Sequence, residues 1–321
     1  LKAGVREFKA KAASSIVLDI STGEVLAMVN QPSADPNNRS LRKAELLKNR
    51  AVTDVFEPGS IFKPFIIAAA LESGNFKPES IIDTTPFDLG SKLIGDDRCE
   101  GELNLEMILV KSCNAGAARI SLAMEPKVLF DTLTKLGISQ ITASGFPGEV
   151  RGSLGNYQNW RPIKQATLSY GYGVSVTPLQ LAKAYAAIAN GGIVNQISIE
   201  KIKVKSNGER ALSEDTAANL LLMLETVVER SVSKARVKGY RVGGKTGTAE
   251  IFSDDYSGDT HNAFFVGIAP ISNPRIVTVV VVNEPQGQKY YGGQVAAPIF
   301  SLIVSGALRI MGIPPDENTK S

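Results

Sequence analysis

The sequence is poor in histidine, cysteine and tryptophan, with one His, two Cys and one Trp among 321 residues. A Ser-His-Asp hydrolase would need His261 as its base, yet this residue directly precedes an apolar, strand-like run at 263–269. That context favours a structural histidine at a strand edge. One histidine and two cysteines without ligand spacing do not build a zinc site. We expect no metal and no organic cofactor.

The two cysteines, Cys99 and Cys113, decide little about the cellular compartment. No characteristic spacing supports a disulfide between them, so their pairing stays open. A small buried packing residue is the favoured interpretation of Cys113, ahead of a reactive thiol.

An excess of one charge and long apolar runs are also missing. The chain has 35 basic and 32 acidic residues and no dense basic cluster, so we expect no nucleic-acid partner. The longest strongly apolar run, 276–282, is too short to span a bilayer. No signal peptide is visible and the first residue is Leu1, which indicates an excised fragment. The length allows one large domain or two.

Strand-like runs lie near both ends of the chain, at 15–20, 24–30, 240–251, 263–269 and 275–283. Between about 60 and 237 helical signals dominate. The clearest predicted helix has Thr177 as its N-cap and Pro178 at its first position, and it ends before Gly191-Gly192. Another helix is predicted from Ser213 to about Glu229, and 144–162 is predicted to be a long loop that walls a cleft. The pattern predicts an α+β fold with one sheet assembled from both termini.

Three short motifs follow one another along the chain: Ser60-Ile61-Phe62-Lys63, Ser112-Cys113-Asn114 and Lys245-Thr246-Gly247-Thr248. Each is weak alone. Together they describe one acyl-transfer site, with a serine nucleophile, a lysine base, a polar relay and a strand that grips a carboxylate.

The Ser-x-x-Lys pattern also occurs at Ser40, Ser198 and Ser231, so its context must identify the first motif. Only Ser60 follows a Glu-Pro-Gly segment and opens an apolar helical run, 65–71, which Gly74 closes. The alternative is an ordinary helix-starting serine with an exposed lysine.

Ser60 and Lys63 are three residues apart, so one helix face can hold both. A serine hydroxyl needs a base within hydrogen-bond reach, and the helix start places backbone N–H groups near the developing anion. Lys63 must be neutral part of the time to act as this base, which burial and a second cation such as Lys245 would favour.

The other two motifs supply relay and binding groups. Ser112 offers a hydroxyl for proton transfer and Asn114 an amide for the substrate's carbonyl; an ordinary polar turn is the alternative. Lys245, Thr246 and Thr248 suit a terminal carboxylate, and Gly247 allows a ligand to approach the strand closely. Tyr290 and Tyr291 are candidates for an aromatic wall of the groove, with simple packing nearly as well supported.

The chain resembles the penicillin-binding proteins over about residues 14–314, in the order of its motifs and beyond them. Segments similar to the division-specific class B branch, the penicillin-binding protein 3 type, are 49–60, Gly171-Tyr172-Gly173, 177–182 and Tyr290-Tyr291-Gly292-Gly293. The resemblance implies a five-stranded antiparallel sheet between helices plus an all-helical subdomain, and an oxyanion hole formed by the backbone N–H groups of Ser60 and Thr248.

The resemblance also implies one transpeptidase domain over 1–321. Its sheet would come from about 14–30 and 240–284, with a C-terminal helix at 296–311 and a helical lobe at about 60–237. A membrane anchor and a pedestal domain would lie upstream of Leu1, which would place the catalytic domain in the periplasm at the inner membrane.

The implied reaction is septal peptidoglycan cross-linking. Ser60 would attack the D-Ala–D-Ala carbonyl of a stem peptide, expel D-Ala and pass the acyl group to the amine of a neighbouring stem. β-Lactams would trap Ser60. Divisome membrane proteins, including a septal glycosyltransferase, are the expected partners.

Four other functions share parts of this pattern. A serine β-lactamase needs a water-activating group, such as the Glu-x-x-Leu-Asn segment of class A enzymes, and no such segment follows Asn114. A D,D-carboxypeptidase differs from the transpeptidase only in its acceptor. A β-lactam sensor would acylate without turnover. A divisome scaffold would have a vestigial site, which the intact set of polar residues opposes.

Overall fold

The computed structural model describes residues 1–35, 37–38, 43–96, 99–203, 207–251 and 260–317. The strands in these residues are β1 Ala12–Asp19, β2 Val25–Gln31, β3 Ile81–Asp83, β4 Phe87–Leu89, β5 Lys92–Ile94, β6 Glu102–Asn104, β7 Ile193–Val194, β8 Glu209–Arg210, β9 Gly243–Glu250, β10 His261–Ala269 and β11 Ile276–Asn283. The helices are α1 Lys2–Glu7, α2 Ala44–Leu47, α3 Arg50–Thr53, α4 Lys63–Glu72, α5 Leu105–Lys111, α6 Asn114–Leu122, α7 Pro126–Lys135, α8 Pro162–Leu168, α9 Pro178–Ala189, α10 Glu214–Ser231 and α11 Gly292–Ile310. Short 3-10 turns lie at Gly59–Phe62, Tyr157–Asn159 and Ser233–Ala235.

The main sheet has five antiparallel strands in the order β2-β1-β11-β10-β9. Strand β1, from the start of the chain, pairs with β11, so that Ala12 lies opposite Asn283. The expected sheet, assembled from both termini, is therefore confirmed. Strand β9, which carries the third motif, lies at an edge of this sheet.

Helices cover both faces of the sheet, since every residue of β1 is buried and β11 is buried up to its last residue. Helix α11 packs against β10 and β11, and helix α9 packs against β1 and β11. The phenyl rings of Phe265 on β10 and Phe300 on α11 are 4.6 Å apart. By length and composition α11 could also cross a membrane, but its inner side is part of this core.

The helix ends follow the local sequence. Thr177 caps α9 with the reciprocal side-chain bonds of a capping box, and Pro178 opens the helix as predicted. Ser213 caps α10, which continues to Ser231, slightly beyond the expected end. Helix α4 is buried from Lys63 to Ala70, which makes it the central helix beneath the first motif.

The predicted C-terminal helix is present, but it begins at Gly292 instead of Ala296. Gly292 is tightly buried, since a Cβ there would lie 2.4 Å from the carbonyl oxygen of Gly247. Packing of this kind offsets the low helix propensity of glycine. Pro298 lies inside the same helix. The prediction that the loop at 144–162 walls a cleft was wrong. Its residues do not line the cleft beside Ser60, and its backbone forms hydrogen bonds with Val52 and Ser175 instead.

Candidate active site

Ser60 lies in the 3-10 turn Gly59–Phe62, directly before α4. The carbonyl of Ile61 in this turn accepts a 2.7 Å hydrogen bond from the hydroxyl of Tyr185, a fully buried residue of α9. Burial raises the pKa of Tyr185 well above its ordinary value, so its hydroxyl remains a donor. Helix α9, which packs against the sheet, therefore also stabilises the turn that contains Ser60.

A glycine contact holds the same turn from the side. The N–H of Gly59 donates to the carbonyl of Gly171 at 3.3 Å, and a Cβ on Gly171 would lie 2.2 Å from the oxygen of Gly59. Gly171 also has a φ of +87°, which side chains rarely adopt. The segment Gly171-Tyr172-Gly173, first noticed through resemblance, thus has a steric reason to contain glycine.

Lys63 is fully buried and its amine lies among four oxygen atoms. Nζ is 3.0 Å from Ser60 Oγ, 2.7 Å from Asn114 Oδ1, 2.5 Å from the Ser112 carbonyl oxygen and 3.3 Å from Ser112 Oγ. The exposed-lysine alternative is therefore wrong. The geometry brings an amine that could serve as a base within direct reach of the Ser60 hydroxyl proton.

The second motif forms the turn between α5 and α6. Ser112 has φ +62° and ψ +42°, a left-handed conformation that is costly for a residue other than glycine. This conformation ends α5 and turns both the carbonyl and the hydroxyl of Ser112 toward Lys63. Asn114 is the first residue of α6, so its side chain enters the site from a helix start.

Lys245 reaches the same turn from the sheet. It is 1% exposed, and its Nζ lies 3.0 Å from Ser112 Oγ. The hydroxyl of Ser112 therefore lies between two lysine amines, one from α4 and one from β9. This is the arrangement expected of a group that relays protons.

The rest of the third motif follows β9 along the cleft. Because β9 is an edge strand of the sheet, an extended peptide can add to it by main-chain hydrogen bonds. Thr246 and Thr248 are half-buried, and Thr248 Oγ1 accepts a 3.1 Å bond from the N–H of Gly292. Gly247 has a further role, since a Cβ there would lie 3.0 Å from the carbonyl oxygen of Pro58. Its missing side chain makes room for the serine turn.

One cleft of about 410 Å³ contains most of these groups. Its lining brings together nearly all predicted site residues, namely Ser60, Ser112, Asn114, Lys245, Thr246, Gly247, Thr248, Tyr290 and Tyr291. Lys63 lies beneath the cleft and reaches it through Ser60 and Ser112.

Sequence patterns did not indicate several other lining residues, namely Val110, Lys111, Tyr170, Tyr172, Ser231, Val232 and Glu250. Burial raises the pKa of Tyr170 to about 12, and burial followed by the nearby Glu250 carboxylate raises the pKa of Tyr172. Both phenols therefore stay protonated donors on this wall. The Gly171-Tyr172-Gly173 segment was a signal that could have identified Tyr172.

A stack of aromatic rings also lines the cleft. The ring of His261 stacks on Tyr290 with centroids 4.5 Å apart, and the rings of Tyr290 and Tyr291 are 4.3 Å apart. His261 is the first residue of β10, as expected for a strand-edge histidine, and it also lines the cleft. Tyr291 is half exposed, so one ring of this stack remains accessible to a ligand.

Cys99 and Cys113 form a disulfide, and both are fully buried. Cys113 is therefore buried, as the favoured interpretation expected, and the pairing that the sequence left open is present. The sequence could not predict this disulfide, because a spacing of 14 residues has no diagnostic value. The fold places the two Cα atoms 5.8 Å apart, which is within the range for a disulfide. Asp96 lies close to both sulfur atoms, but their mutual bond removes them as thiolate metal ligands.

Comparison with known proteins agrees with this geometry. The family described as penicillin binding protein transpeptidase domain matches residues 13–305. The peptidoglycan D,D-transpeptidase FtsI of Escherichia coli K12 is 42% identical over 314 residues, which cover 97% of this chain and 53% of that protein. A probable peptidoglycan D,D-transpeptidase PenA of Neisseria meningitidis is 41% identical over 318 residues, covering 98% of this chain and 55% of that protein.

A solved structure supports the same conclusion. The transpeptidase domain of Burkholderia pseudomallei penicillin-binding protein 3 superposes with a TM-score of 0.90 at 42% identity, covering 98% of this chain and 93% of that one. The chain spans about half the length of the curated relatives it matches. The family expected from the motifs is confirmed, and the chain belongs to the penicillin-binding proteins, as a transpeptidase domain.

Proposed function

We propose that this chain is the catalytic domain of a peptidoglycan D,D-transpeptidase that forms septal cross-links through an acyl-enzyme on Ser60. The observation that carries the proposal is the 3.0 Å contact between Lys63 Nζ and Ser60 Oγ, with Ser112 and Asn114 completing the surroundings of the amine. The 42% identity to a D,D-transpeptidase over nearly the whole chain supports the same reaction.

The first half-reaction uses groups that already contact one another. Lys63, in its neutral form, takes the proton of Ser60 as Oγ bonds to the carbonyl carbon of the penultimate D-Ala. The resulting oxyanion would accept bonds from the backbone N–H groups of Ser60 and Thr248. When the C–N bond breaks, a proton reaches the departing D-Ala nitrogen through the Ser112 hydroxyl, which links Lys63 to Lys245.

The second half-reaction reverses these steps with a different amine. The amine of a neighbouring stem peptide attacks the acyl carbon, loses a proton to the lysine pair and forms the new amide. The Ser60 oxygen leaves and recovers its proton. The stem peptide would lie along β9, with its carboxylate near Lys245, Thr246 and Thr248, while Asn114 would donate to a substrate carbonyl. Tyr290 and Tyr291 would form one side of this groove.

β-Lactams are proposed to acylate Ser60 in the same way. Their strained amide and their carboxylate are placed like the scissile amide and the terminal carboxylate of a D-Ala–D-Ala peptide. Their adduct should persist. Glu250 is the one carboxylate among the described residues that line the cleft, and it lies at the end of β9, beyond Thr248. No carboxylate in the described cleft follows Asn114 with the spacing of a class A β-lactamase.

We also propose a periplasmic location at the inner membrane, with an anchor and a pedestal domain in the full-length protein and division proteins, including a septal glycosyltransferase, as partners. The relatives' roles support this location, and so does the disulfide, since such bonds persist outside the reducing cytosol. Co-purification from membranes of the full-length protein, with an anchor-deleted form as control, would test the partners.

The decisive experiment joins acylation to turnover. Intact mass is followed for hours after benzylpenicillin, and a D-Ala–D-Ala or thioester donor is then supplied with and without an amine acceptor. We expect one stable adduct per chain and an acceptor-dependent amide product. Hydrolysis of the donor alone would indicate a carboxypeptidase, rapid loss of the penicillin adduct a β-lactamase, and acylation without donor turnover a sensor. Ser60→Ala is the control for each measurement.

A further inference from the structure

The middle residue of the second motif is tied to a separate segment of the chain. Cys113 lies between Ser112 and Asn114, the two residues that place three oxygen atoms around Lys63 Nζ. Its sulfur is bonded to Cys99, which lies in the connection between β5 and β6. Both cysteines are fully buried, so this link lies in the protein interior, next to the second motif in sequence.

The same connection makes a second attachment to the turn. Asp96 Oδ2 accepts a 2.7 Å hydrogen bond from the N–H of Asn114, the first residue of α6. A carboxylate at a helix start satisfies a free N–H and interacts favourably with the helix dipole. The disulfide and the Asp96 carboxylate thus bind two adjacent residues, Cys113 and Asn114, to the same β5–β6 connection.

This turn needs external support because of its backbone conformation. Ser112 is left-handed, with a φ of +62°, and such a residue persists only where its surroundings determine it. Within the turn, the N–H of Ser112 donates to the Leu109 carbonyl at 3.2 Å and that of Cys113 to the Ile108 carbonyl at 3.0 Å. Those bonds close α5, but the disulfide and Asp96 hold the turn from outside that helix and fix where α6 begins.

We infer that the Cys99–Cys113 disulfide and Asp96 are positioning residues for acylation, which hold the oxygens of Ser112 and Asn114 at bonding distance from Lys63. This inference rests on the proposed function. The device acts on the chemical step more than on substrate capture, because Thr246 and Thr248, which are proposed to bind the carboxylate, lie on β9, and β9 is held in the sheet by its pairing with β10.

The test is stopped-flow acylation by a chromogenic cephalosporin, analysed for apparent affinity and limiting rate. The variant that lacks the bond carries Cys99→Ala together with Cys113→Ala, so that no free thiol remains. We expect its limiting rate to fall about 10-fold or more, since small displacements of catalytic groups cost that much, while apparent affinity changes less than about twofold. Glu100→Ala is the matched control, as an exposed neighbour of Cys99 that should retain the wild-type rate.

A second pair of variants keeps the disulfide. Asp96→Ala removes the acceptor for the Asn114 N–H and should lower the limiting rate about threefold or more, whereas Asp96→Asn restores an acceptor oxygen and should recover most of it. These variants decide the question alone if the double cysteine variant does not fold. A limiting rate within about twofold of wild type for both the double cysteine variant and Asp96→Ala would overturn the inference. So would a parallel loss of rate and affinity. Failure of the wild-type protein to acylate would instead overturn the proposed function.

Discussion

Lys63 and Lys245 share one hydrogen-bond partner, the hydroxyl of Ser112, which lies 3.3 Å from the first amine and 3.0 Å from the second. Both amines are almost completely buried, and they come from sequence positions far apart, on α4 and on β9. A hydroxyl can donate only one proton, so at any moment it can donate to at most one of the two nitrogens. The pair is therefore coupled through Ser112, and the two lysines should differ in what their loss does.

Replacing Lys63 should affect the chemical step. Lys63→Ala removes the nitrogen that contacts Ser60 Oγ, and we expect the limiting acylation rate to fall at least about 10²-fold, as for loss of a general base. Lys245→Ala should mainly weaken apparent affinity for β-lactams that carry a carboxylate, with a smaller loss of rate through Ser112. Stopped-flow acylation over a range of concentrations separates the two effects.

Lys111→Ala is the control for this pair, because Lys111 is an exposed cation that lines the same cleft. Circular dichroism should show that each variant retains its fold. A Lys63→Ala protein whose limiting rate survives while only affinity changes would show that Lys63 is not the base.

Penicillin should label Ser60 and no other serine. Ser231 makes this prediction demanding, because it also has the Ser-x-x-Lys pattern and lines the same cleft. Its hydroxyl donates to the Val227 carbonyl at 2.7 Å, and that of Ser198 donates to the Glu200 carbonyl at 2.8 Å. Ser40 lies outside the described residues. Peptide mapping should find the adduct on Ser60, absent from Ser60→Ala and retained in Ser231→Ala; a label on Ser231 would refute the assignment.

Ser112 allows its hydroxyl and its backbone to be separated. Ser112→Ala and Ser112→Gly both remove the hydroxyl shared by the lysines, so both should slow acylation by about 10-fold or more. Only glycine adopts a φ of +62° without strain, so Ser112→Gly should be more stable to urea than Ser112→Ala by about 1 kcal/mol. Equal stability of the two variants would mean that the left-handed conformation is not retained when the hydroxyl is lost.

Tyr185→Phe should loosen the serine turn. It removes the donor to the Ile61 carbonyl and leaves a buried acceptor without that bond, which costs about 1–3 kcal/mol in the free energy of unfolding. Because Ile61 follows Ser60 directly, we also expect slower acylation. Thermal unfolding and stopped-flow kinetics measure the two effects.

Tyr240→Phe is the matched control for this variant. Tyr240 also donates to a backbone carbonyl, that of Ile313, at 2.6 Å, but it lies outside the catalytic cleft. It should lose comparable stability while keeping the wild-type acylation rate. If both tyrosine variants slow acylation equally, the effect comes from general destabilisation and not from the serine turn.

Local sequence was enough to predict the groups that act within one or two turns of the chain. The three-residue spacing of Ser60 and Lys63 and the cap at Thr177 depend on nearby residues alone, and the structure has both features. Pattern without context misleads, however. Ser73-Gly74-Asn75 also has the Ser-x-Asn form, yet it lies at the C-terminal end of α4 and does not line the cleft.

What could not be predicted depends on contacts between distant parts of the chain. Tyr170 reaches the cleft because the loop after α8 bonds to the serine turn, and Glu250 reaches it because β9 lies at the sheet edge beside that turn. The disulfide requires the connection between β5 and β6 to pass beside the start of α6, which no spacing rule reports. The strand order was likewise not predicted, since strand patterns alone do not specify their partners.

The pairing of β1 with β11 has a consequence for how this protein is made. Strand β1 is synthesised well before its partner β11, because most of this domain lies between them. Until then β1 presents an unpaired edge, which is the kind of surface that promotes self-association. Pairing between such distant segments also slows folding. Ser60 is therefore synthesised before β9, β10 and β11, which complete its surroundings. We expect folding of this domain to depend on chaperones that prevent aggregation of the incomplete chain.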